Sequence, residues 1–343
     1  MKLLIVTQKV DPQDQLLGFF IGWITAFASQ CDEVHVFCLE AQPITLPSNV
    51  YVHSLGKSDR KGKLVWLYRL FKYSFIYRKQ YDCVFVHMNP IHVALAGIWW
   101  RLLGKRIGLW YTHPSVDFKL RLATFFSHVI FTGSESSFRV RTRKRNVMGQ
   151  GVDPTFFTFK SNIDIQNPKL VVVGRISPIK NIEIALELLV LLRTESNATL
   201  HIVGGPSGTP EDIVYVQTLK EMVEKMAISE AVIWDGPKNA RGVQNILQEC
   251  DVFVHTSLTH SADKTLPEAM ASGLFVVSSN QAYKDDLPSI CFKEPEAVLY
   301  KESLDAYRQL TNQEQDALRE DLRTCVEVKH SLQRLVKNIL SLY

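Results

Sequence analysis

The segment Asp263–Gly273 combines a carboxylate with the local signals of a short helix. It reads DKTLPEAMASG, and the apolar run Leu274–Ser279 follows it directly. This pattern predicts a polar loop, one helical turn that carries Glu268, a glycine stop and a buried strand. Ligands of open α/β sheets bind in the crevice at the carboxyl ends of the strands. The pattern therefore directs Glu268 into such a crevice; a first-turn glutamate that only stabilises its helix is the alternative.

Positive charge follows a second apolar strand, Val171–Val173. Arg175 and Lys180 lie five residues apart in the loop between this strand and a predicted helix. A lysine at a helix N-terminus opposes the helix dipole, so an anionic ligand accounts for Lys180 better than solvent does. Cations and helix N-termini bind phosphate, and a carboxylate binds sugar or ribose hydroxyls. The two segments together supply the groups that a nucleotide diphosphate-sugar requires; simple solvation of both cations is the alternative.

Four short blocks in the second half of the chain resemble the donor domain of a retaining glycosyltransferase of family 4. The blocks are Val173–Arg175 with Lys180, Leu200–Pro206, Val232–Gly236 and Asp263–Gly273. The first half resembles this family more loosely, through Tyr111–His113 and Gly149–Asp153. The resemblance implies an α/β chain with the GT-B architecture, in which two Rossmann-like domains with doubly wound parallel sheets face a cleft.

The resemblance also implies roles for individual side chains. Arg175 and Lys180 would bind the diphosphate and act in catalysis by stabilising charge on the leaving group. His113, at the end of the predicted strand Ile107–Thr112, matches the family's active-site histidine on the acceptor side, and His87 lies at a similar strand end. A structural histidine is the alternative at both positions. The implied donor site consists of Gly174, Arg175, Lys180, Gly204, Gly205, Asp235, Gly236, Asp263, Lys264, Thr265, Leu266 and Glu268.

The chain departs from the commonest family pattern at one position. That pattern has a first glutamate where this chain has His260. The segment instead resembles a variant with an Asp-Lys pair, here Asp263 and Lys264, five and four residues before Glu268. In that variant the loop backbone approaches the sugar and phosphates, and which side chain holds the sugar hydroxyls stays open. No metal or other cofactor is expected, because Arg175 and Lys180 can supply the positive charge and no carboxylate cluster follows a strand.

Length and apolar patterning predict two domains. A chain of 343 residues exceeds the usual size of one hydrophobic core. Apolar β-rich runs alternate with helix-length stretches in two series, which indicates two parallel sheets covered on both faces. We therefore predict an acceptor-binding domain over 1–155 and a donor-binding domain over 156–327. The tail 328–343 spaces its apolar residues like one helical face, and the resemblance implies that this helix crosses back to the first domain.

Charge is divided unevenly between the two halves. Residues 1–153 carry a net charge of +10 and the remainder carries −6. Residues 60–79 mix cations with aromatic side chains at helical spacing, a pattern typical of helices that lie on anionic membranes. A helix that packs in the core with a solvated charged edge is the alternative. Nucleic acid is not expected as a partner, since no helix-turn-helix, zinc or aromatic-platform signature occurs.

Cysteine usage and hydropathy predict a cytoplasmic protein. The six cysteines form no close metal-type pair and lie mostly in or beside apolar strands, which favours buried, reduced thiols. No apolar run reaches about 18 residues, and Met1–Thr7 leads directly into a strand, so neither a transmembrane helix nor a signal peptide is predicted. The basic segment 60–79 adds the hypothesis of peripheral attachment to the inner face of the plasma membrane.

The sequence therefore predicts a retaining glycosyltransferase for cell-envelope or polysaccharide synthesis, which moves a hexosyl unit from a UDP- or GDP-linked sugar to a glycan or lipid-linked acceptor. Two alternatives stay open: a nucleotide-sugar epimerase of similar fold, and an inactive nucleotide-sugar-binding protein, the latter because of His260. A dinucleotide dehydrogenase is disfavoured, because Thr7–Asp11 after the first strand lacks the glycine-rich fingerprint. The sugar, the base and the acceptor are not specified by the sequence.

Overall fold

The structure is a computed structural model that describes residues 1–14, 17–57, 62–258 and 261–343. Contacts divide the chain into two compact units. Unit 1 comprises residues 1–151 and 332–343, and unit 2 comprises residues 152–331. The predicted boundaries at 155 and 327 each lie four residues from these divisions.

Unit 1 is built on a seven-stranded parallel sheet with the order β3-β2-β1-β4-β5-β6-β7. Its strands are β1 (Lys2–Val10), β2 (Glu33–Ala41), β3 (Val50–Ser54), β4 (Cys83–His87), β5 (Arg106–Trp110), β6 (Val129–Thr132) and β7 (Arg145–Val147). Its helices are α1 (Phe20–Ala28), α2 (Lys63–Ile76), α3 (Pro90–Leu102), α4 (Phe118–Phe126) and, from the end of the chain, α11 (Leu332–Ser341). The order reverses between β1 and β4, so the sheet is doubly wound.

The two faces of this sheet are covered by different helices. On one face, Trp23 of α1 and Leu335 of α11 belong to the same apolar core. On the other face, Leu70 of α2, Trp100 of α3 and Leu120 of α4 form a second core with the strands. The near-continuous apolar strands thus find cover on both sides, as buried parallel strands require.

Unit 2 contains a five-stranded parallel sheet with the order β10-β9-β8-β11-β12. Its strands are β8 (Lys169–Val173), β9 (Thr199–Val203), β10 (Val232–Gly236), β11 (Val252–His255) and β12 (Phe275–Ser278). Its helices are α5 (Glu183–Arg193), α6 (Pro210–Lys225), α7 (Ala240–Glu249), α8 (Thr265–Ala271), α9 (Ala297–Arg308) and α10 (Asn312–Cys325), followed by a π-helical turn at Val326–His330. Here the order reverses between β8 and β11. The prediction of two doubly wound parallel sheets is confirmed.

Two details differ from the predicted elements. The short strand β7 was not predicted, because its three residues are mostly polar and it pairs only at the edge, with β6. The fifth strand ends at Trp110, so Tyr111 and Thr112 belong to the following loop. His113 therefore lies three residues beyond its strand.

Candidate functional site

The candidate site of unit 2 lies where the strand order reverses. β8 and β11 are neighbours at this point, and the loops that follow them leave in opposite directions around the sheet. Ligands of doubly wound sheets bind at this topological switch point. A pocket opens there, and its lining includes Gly174, Arg175, Lys180, His255, Thr256 and Ser257.

Glycines allow the loops after β8, β9 and β10 to run against one another. The Gly174 N–H donates to the Val203 carbonyl over 2.9 Å, and the Gly204 N–H donates to the Gly236 carbonyl over 3.0 Å. Gly204 has a φ of +146°, and a Cβ there would lie 1.8 Å from the Gly174 carbonyl oxygen. Side chains are therefore excluded at this crossing, and the predicted glycines Gly174, Gly204, Gly205 and Gly236 lie together at one sheet edge.

Lys180, which lines this pocket, forms an ion pair with Asp263. The same Asp263 oxygen lies 3.1 Å from Nε2 of His255, whose Nδ1 lies 2.9 Å from the Ser278 hydroxyl. Burial disfavours ionisation of Asp263, but attraction to Lys180 and the hydrogen bond from His255 outweigh it and hold the pKa of this carboxyl well below its usual range. Asp263 is therefore an ionised acceptor, so the neutral His255 ring donates from Nε2 and accepts the Ser278 proton at Nδ1.

The helix-dipole argument for an anionic ligand at Lys180 does not hold. Lys180 ends a 3₁₀ turn that begins at Pro178, and α5 starts only at Glu183. Its charge is already balanced by Asp263. The assignment of Lys180 to the diphosphate stays a prediction that rests on the family resemblance and on the position of this residue in the pocket.

The turn that carries Lys180 is fixed to the segment after β11. The Thr256 hydroxyl donates to the Lys180 carbonyl over 2.7 Å. The Leu258 N–H donates to the Ile179 carbonyl over 2.9 Å. These bonds hold the loops of the two central strands in one register, so the cation of one loop meets the carboxylate of the other.

Glu268 is buried on the short helix α8 and pairs with Lys264 one turn earlier. The prediction of a helical turn with this carboxylate is thus confirmed as local structure. Its partner, Lys264, belongs to the same segment. This pair therefore also agrees with the alternative, in which Glu268 only stabilises its own helix. Leu266 is fully buried, and the Thr265 hydroxyl has no hydrogen-bond partner among the described residues. Contact between Glu268 and a ribose stays a prediction.

Arg175 differs from the other predicted cations. Its side chain is exposed, and it forms no ion pair with a carboxylate of the described residues. The pKa of Asp212 is lowered, chiefly by hydrogen bonds from Ser207, and the charge of Arg175 adds to this effect. Arg175 is therefore a cation at the pocket whose hydrogen-bond donors remain open to a ligand.

Asp235 lies at a bulge in the pairing of β10 with β9. Its carboxylate oxygen is 2.9 Å from Nδ1 of His201 on the neighbouring strand. This carboxylate, predicted for the donor site, is therefore held by a histidine of the sheet. Its place beside Gly236 brings it to the same edge as the glycine crossing.

The two histidines predicted for the acceptor side have different surroundings in unit 1. His113 is exposed, and its Nδ1 accepts a hydrogen bond of 3.1 Å from the Ser115 N–H. His87 is 2% exposed and stacks on Phe20 with ring centroids 4.0 Å apart, next to Trp23. Burial lowers the pKa of His87 to about 3. These surroundings favour the packing alternative for His87 over contact with an acceptor.

Two sequence predictions fall partly outside the described residues. His260, which occupies the position of the family's usual first glutamate, lies outside them. Arg60 and Lys61 of the basic segment are also outside them, whereas the rest of that segment forms α2 and the turn after it. α2 buries Leu70 and exposes Leu64, Tyr68, Phe75 and Ile76.

The cysteines are thiols, as expected. All six are free, and five of them are buried. Within the described parts of the chain, one group of side chains is close enough to share a metal ion, namely Asp286, Cys325 and His330. Asp286 there also binds Lys329, and no predicted site residue belongs to the group. No helix in the described ranges has the length and apolar character needed to span a membrane.

Sequence reasoning missed His255 and Ser278 as parts of the site. The available signal was the polar residue at the carboxyl end of each of two apolar strands, and the structure pairs these two residues across β11 and β12. A polar pair at the carboxyl ends of two otherwise apolar buried strands needs hydrogen-bond partners, and the adjacent polar loop could supply one.

Comparison with known proteins places this site in a family context. Residues 154–284 match the model of the family described as Glycosyl transferases group 1. No curated protein matches the chain. Among solved structures, Anabaena Alr3699/HepE in complex with UDP is 16% identical, with 99% of each chain covered and a TM-score of 0.75.

Further solved structures share the architecture over nearly the whole chain. Sucrose-phosphate synthase from Thermosynechococcus elongatus is 13% identical, covers 100% of this chain and 98% of its own, and has a TM-score of 0.76. The lipopolysaccharide outer core galactosyltransferase WaaB in its apo form is 16% identical over 99% of each chain, with a TM-score of 0.66. These likenesses confirm the predicted GT-B fold. The match over residues 154–284 shows that this part of the chain is a glycosyltransferase domain.

Proposed function

We propose that this chain is a retaining hexosyltransferase of glycosyltransferase family 4. It moves a hexosyl unit from a nucleotide diphosphate-sugar to a glycan or lipid-linked acceptor in cell-envelope polysaccharide synthesis. The observation that carries the proposal is the exposed Arg175 beside the glycine crossing, inside the segment that matches the group 1 family. An exposed cation next to backbone free of side chains suits a diphosphate that must approach closely.

Structural neighbours support a nucleotide-sugar as the donor. The HepE structures hold UDP, UDP with glucose, or UDP-glucose. In the present chain, the pairs Lys180–Asp263 and Lys264–Glu268 each cancel their own charge, so Arg175 supplies the net positive charge of the pocket. We propose a UDP- or GDP-linked sugar whose diphosphate contacts Arg175.

The paired residues can act on the donor without breaking their pairs. The Lys180 ammonium has three N–H donors, and Asp263 takes one of them. The remaining donors can bind a phosphate oxygen as negative charge develops on the leaving diphosphate, which is the main electrostatic task of glycosyl transfer. Glu268 uses one oxygen for Lys264 and keeps the other for a ribose hydroxyl.

The same charges can replace a divalent ion. Arg175 places net positive charge beside the predicted phosphate position, and the Lys180 ammonium keeps N–H donors for a phosphate oxygen, so we propose that donor binding needs no metal. We further propose a cytoplasmic protein that reaches its acceptor at the inner face of the plasma membrane. Titration of donor in the presence and absence of EDTA tests the first of these statements, with equal affinity as the expected result.

A binding screen followed by product analysis tests the proposed function. The protein is titrated by calorimetry with UDP, GDP and their glucose, galactose, mannose and N-acetylglucosamine derivatives. We expect one nucleotide series to bind. The sugar of the tightest-binding donor should be transferred or slowly hydrolysed, and NMR should show an α-configured product from an α-linked donor. His113→Ala should lower turnover while nucleotide affinity is unchanged.

Each rival function has its own outcome in this screen. Conversion of the bound donor into its epimer without an acceptor supports the epimerase. Binding with neither hydrolysis nor transfer across glycan and lipid-linked acceptors supports the inactive binding protein. No binding of any nucleotide refutes all three.

A further inference from the structure

The outer side of α2, α3 and α4 exposes several large apolar side chains. Leu64 is 81% exposed, Leu102 75%, Phe118 76% and Phe125 69%. Large exposed apolar groups concentrated on one side of a domain mark a site of contact with a partner or a membrane. We use the name α2–α4 surface for Leu64, Tyr68, Ile98, Leu102, Phe118 and Phe125.

These side chains share one layer of unit 1. The three helices pack their inner sides on the same face of the sheet, through a single apolar core. On each helix the exposed residues recur at helical spacing, such as Leu64 with Tyr68 on α2 and Ile98 with Leu102 on α3. Positions four apart lie on one side of a helix. Each helix therefore has an inner apolar stripe for the sheet and a second apolar stripe with no partner in its own core.

The same helices carry only positive charge. α2, α3 and α4 contain no aspartate or glutamate. Residues 60–134 include twelve lysines and arginines but only two acids, Asp82 and Asp117. Both acids are engaged, since Asp82 accepts from the Lys2 N–H and Asp117 accepts from the Leu120 N–H at the start of α4. Six of these twelve cations belong to α2, α3 and α4 themselves, so the three helices carry positive charge and no acid.

Cations and apolar groups are interleaved on this side. The Lys72 ammonium lies 5.8 Å from the centre of the Tyr68 ring, and the Arg78 guanidinium lies 4.0 Å from the centre of the Phe75 ring. Among the described residues, no carboxylate pairs with Lys72, and none pairs with Lys119 or Arg121 of α4. Long basic side chains of this kind lay their stems along apolar surface and direct their charge towards polar groups above it.

We propose that the α2–α4 surface docks on an anionic lipid bilayer, with its leucines and phenylalanines among the acyl chains and its cations among the headgroups. An apolar stripe flanked by cations is complementary to both layers of such a membrane. That this membrane holds a lipid-linked acceptor rests on the proposed function, but the docking itself does not.

Two other occupants fit the surface less well. In a symmetric dimer the same patch would face itself, which would bring the cations of both copies together without carboxylates between them. Nucleic acid would neutralise the cations but would leave exposed leucines such as Leu64 and Leu102 without apolar contact. The bilayer satisfies the charged and the apolar groups together.

Vesicle flotation tests the proposal. Full-length protein is mixed with phosphatidylcholine vesicles that contain about 30% phosphatidylglycerol, or none, without any donor. We expect binding to the anionic vesicles, at least about 10-fold weaker binding to the neutral ones, and loss of binding as salt rises. Phe118→Ser with Phe125→Ser should weaken binding at least about 10-fold, because two apolar anchors are lost. Lys72→Glu with Lys119→Glu and Arg121→Glu should weaken it about 100-fold or more.

A matched control separates the surface from apolar exposure in general. Ile213 and Val214 on α6 of unit 2 are 54% and 65% exposed. Their replacement by serine should leave vesicle binding unchanged. Nucleotide affinity and the urea midpoint should stay at wild-type values in every variant, which shows that folding and donor binding are intact.

Three results would overturn the inference. The first is no binding to anionic vesicles at low salt, and the second is wild-type binding by both the serine and the glutamate variants. The third is self-association in sedimentation experiments that the phenylalanine substitutions abolish, which would assign the surface to a second copy. Failure of the proposed function has a different signature, namely vesicle binding by a protein that binds no nucleotide.

Discussion

His87 and His255 occupy equivalent places in the two units. His87 ends β4, which lies beside β1, and His255 ends β11, which lies beside β8. Both are buried at the carboxyl edge where the strand order reverses. His87 is enclosed by aromatic rings, whereas His255 is hydrogen-bonded through both ring nitrogens. Equal topology therefore does not give equal chemistry, because the neighbouring side chains decide whether such an edge is apolar or polar.

This difference also separates the roles of the two edges. In unit 2, His255 fixes Asp263, and Asp263 in turn holds Lys180 beside the pocket. In unit 1, the ring of His87 fills space next to Phe20 and Trp23. The polar cluster of unit 2 positions groups that can contact a ligand. The aromatic cluster of unit 1 packs in the core beneath α1. Substitutions at the two edges should therefore have different consequences.

The largest expected effect is that of Asp263→Asn. The change removes the negative charge between Lys180 and His255 and leaves the lysine without its counter-ion. Breaking a buried ion pair costs about 3–5 kcal/mol, and we expect at most about 3 because this pair is partly buried and asparagine still accepts a hydrogen bond. Urea unfolding measures the loss, with the exposed Asp285→Asn as control. A loss no larger than that of the control would show that the cluster contributes nothing to stability.

The pH dependence of the same variant sharpens this test. The folded-state pKa of Asp263 is depressed, so its contribution to stability is present above the ordinary aspartate pKa of about 4 and declines as the pH falls below that value. The difference in unfolding free energy between wild type and the Asp263→Asn variant should stay constant from neutral pH to about pH 5. It should shrink below about pH 4. A difference that grows on acidification would contradict the assigned charge state.

Phenylalanine at each histidine position tests the comparison directly. His255→Phe removes the acceptor of the Ser278 hydroxyl and one of the hydrogen bonds to Asp263, which keeps Lys180, at a cost of about 1–3 kcal/mol. His87→Phe retains a flat ring against Phe20, so its cost should stay below about 1.5 kcal/mol. Urea unfolding of both variants gives the two values. Equal destabilisation would mean that both rings serve packing alone.

Arg175→Ala and Lys180→Ala separate ligand binding from stability. Each loses a charge-assisted hydrogen bond to the donor, worth about 1.5–3 kcal/mol or roughly 10- to 150-fold in Kd. Because Arg175 is exposed and has no carboxylate partner among the described residues, its variant should unfold like wild type. The Lys180 variant should also lose stability, since Asp263 loses its counter-ion.

Calorimetric titration and urea unfolding of these two variants are compared with Lys225→Ala, an exposed lysine at the end of α6. The control should match wild type in both measurements. Wild-type nucleotide affinity in both site variants would remove Arg175 and Lys180 from the donor site, whatever their effect on unfolding.

The sequence predicted the strands more fully than it predicted the cluster. Apolar runs such as Leu200–Val203 identify buried parallel strands by themselves, because burial on both faces demands them. The meeting of Lys180 with His255 and Asp263 depends on two segments, the turn after β8 and the end of β11 with the loop that follows it, and local pattern contains no measure of their approach. β7 was missed for a related reason, since its three residues become a strand only by pairing with β6.

The two histidines show the same limit. Their sequence contexts, VFVH at both strand ends, are identical. The difference between them comes from Phe20 and Trp23 in one unit and from Ser278 and Asp263 in the other, all distant in sequence. Strand position could be predicted from either context, but the environment of the ring could not.

The smallest expected effect concerns Glu268→Gln. Glu268 pairs with Lys264 through one oxygen, so the other is free for a ribose hydroxyl if the donor lies as proposed. The amide keeps the shape and an acceptor oxygen but loses the charge, which should weaken binding of the ribonucleoside diphosphate by only about 1 kcal/mol, the difference between a charged and a neutral hydrogen bond. The 2′-deoxy analogue has already lost part of that contact, so its affinity should fall less. Calorimetric titration of wild type and variant with both ligands measures how strongly the effect of the substitution depends on the 2′-hydroxyl. Equal losses of affinity would mean that Glu268 contacts the transferred sugar and not the ribose.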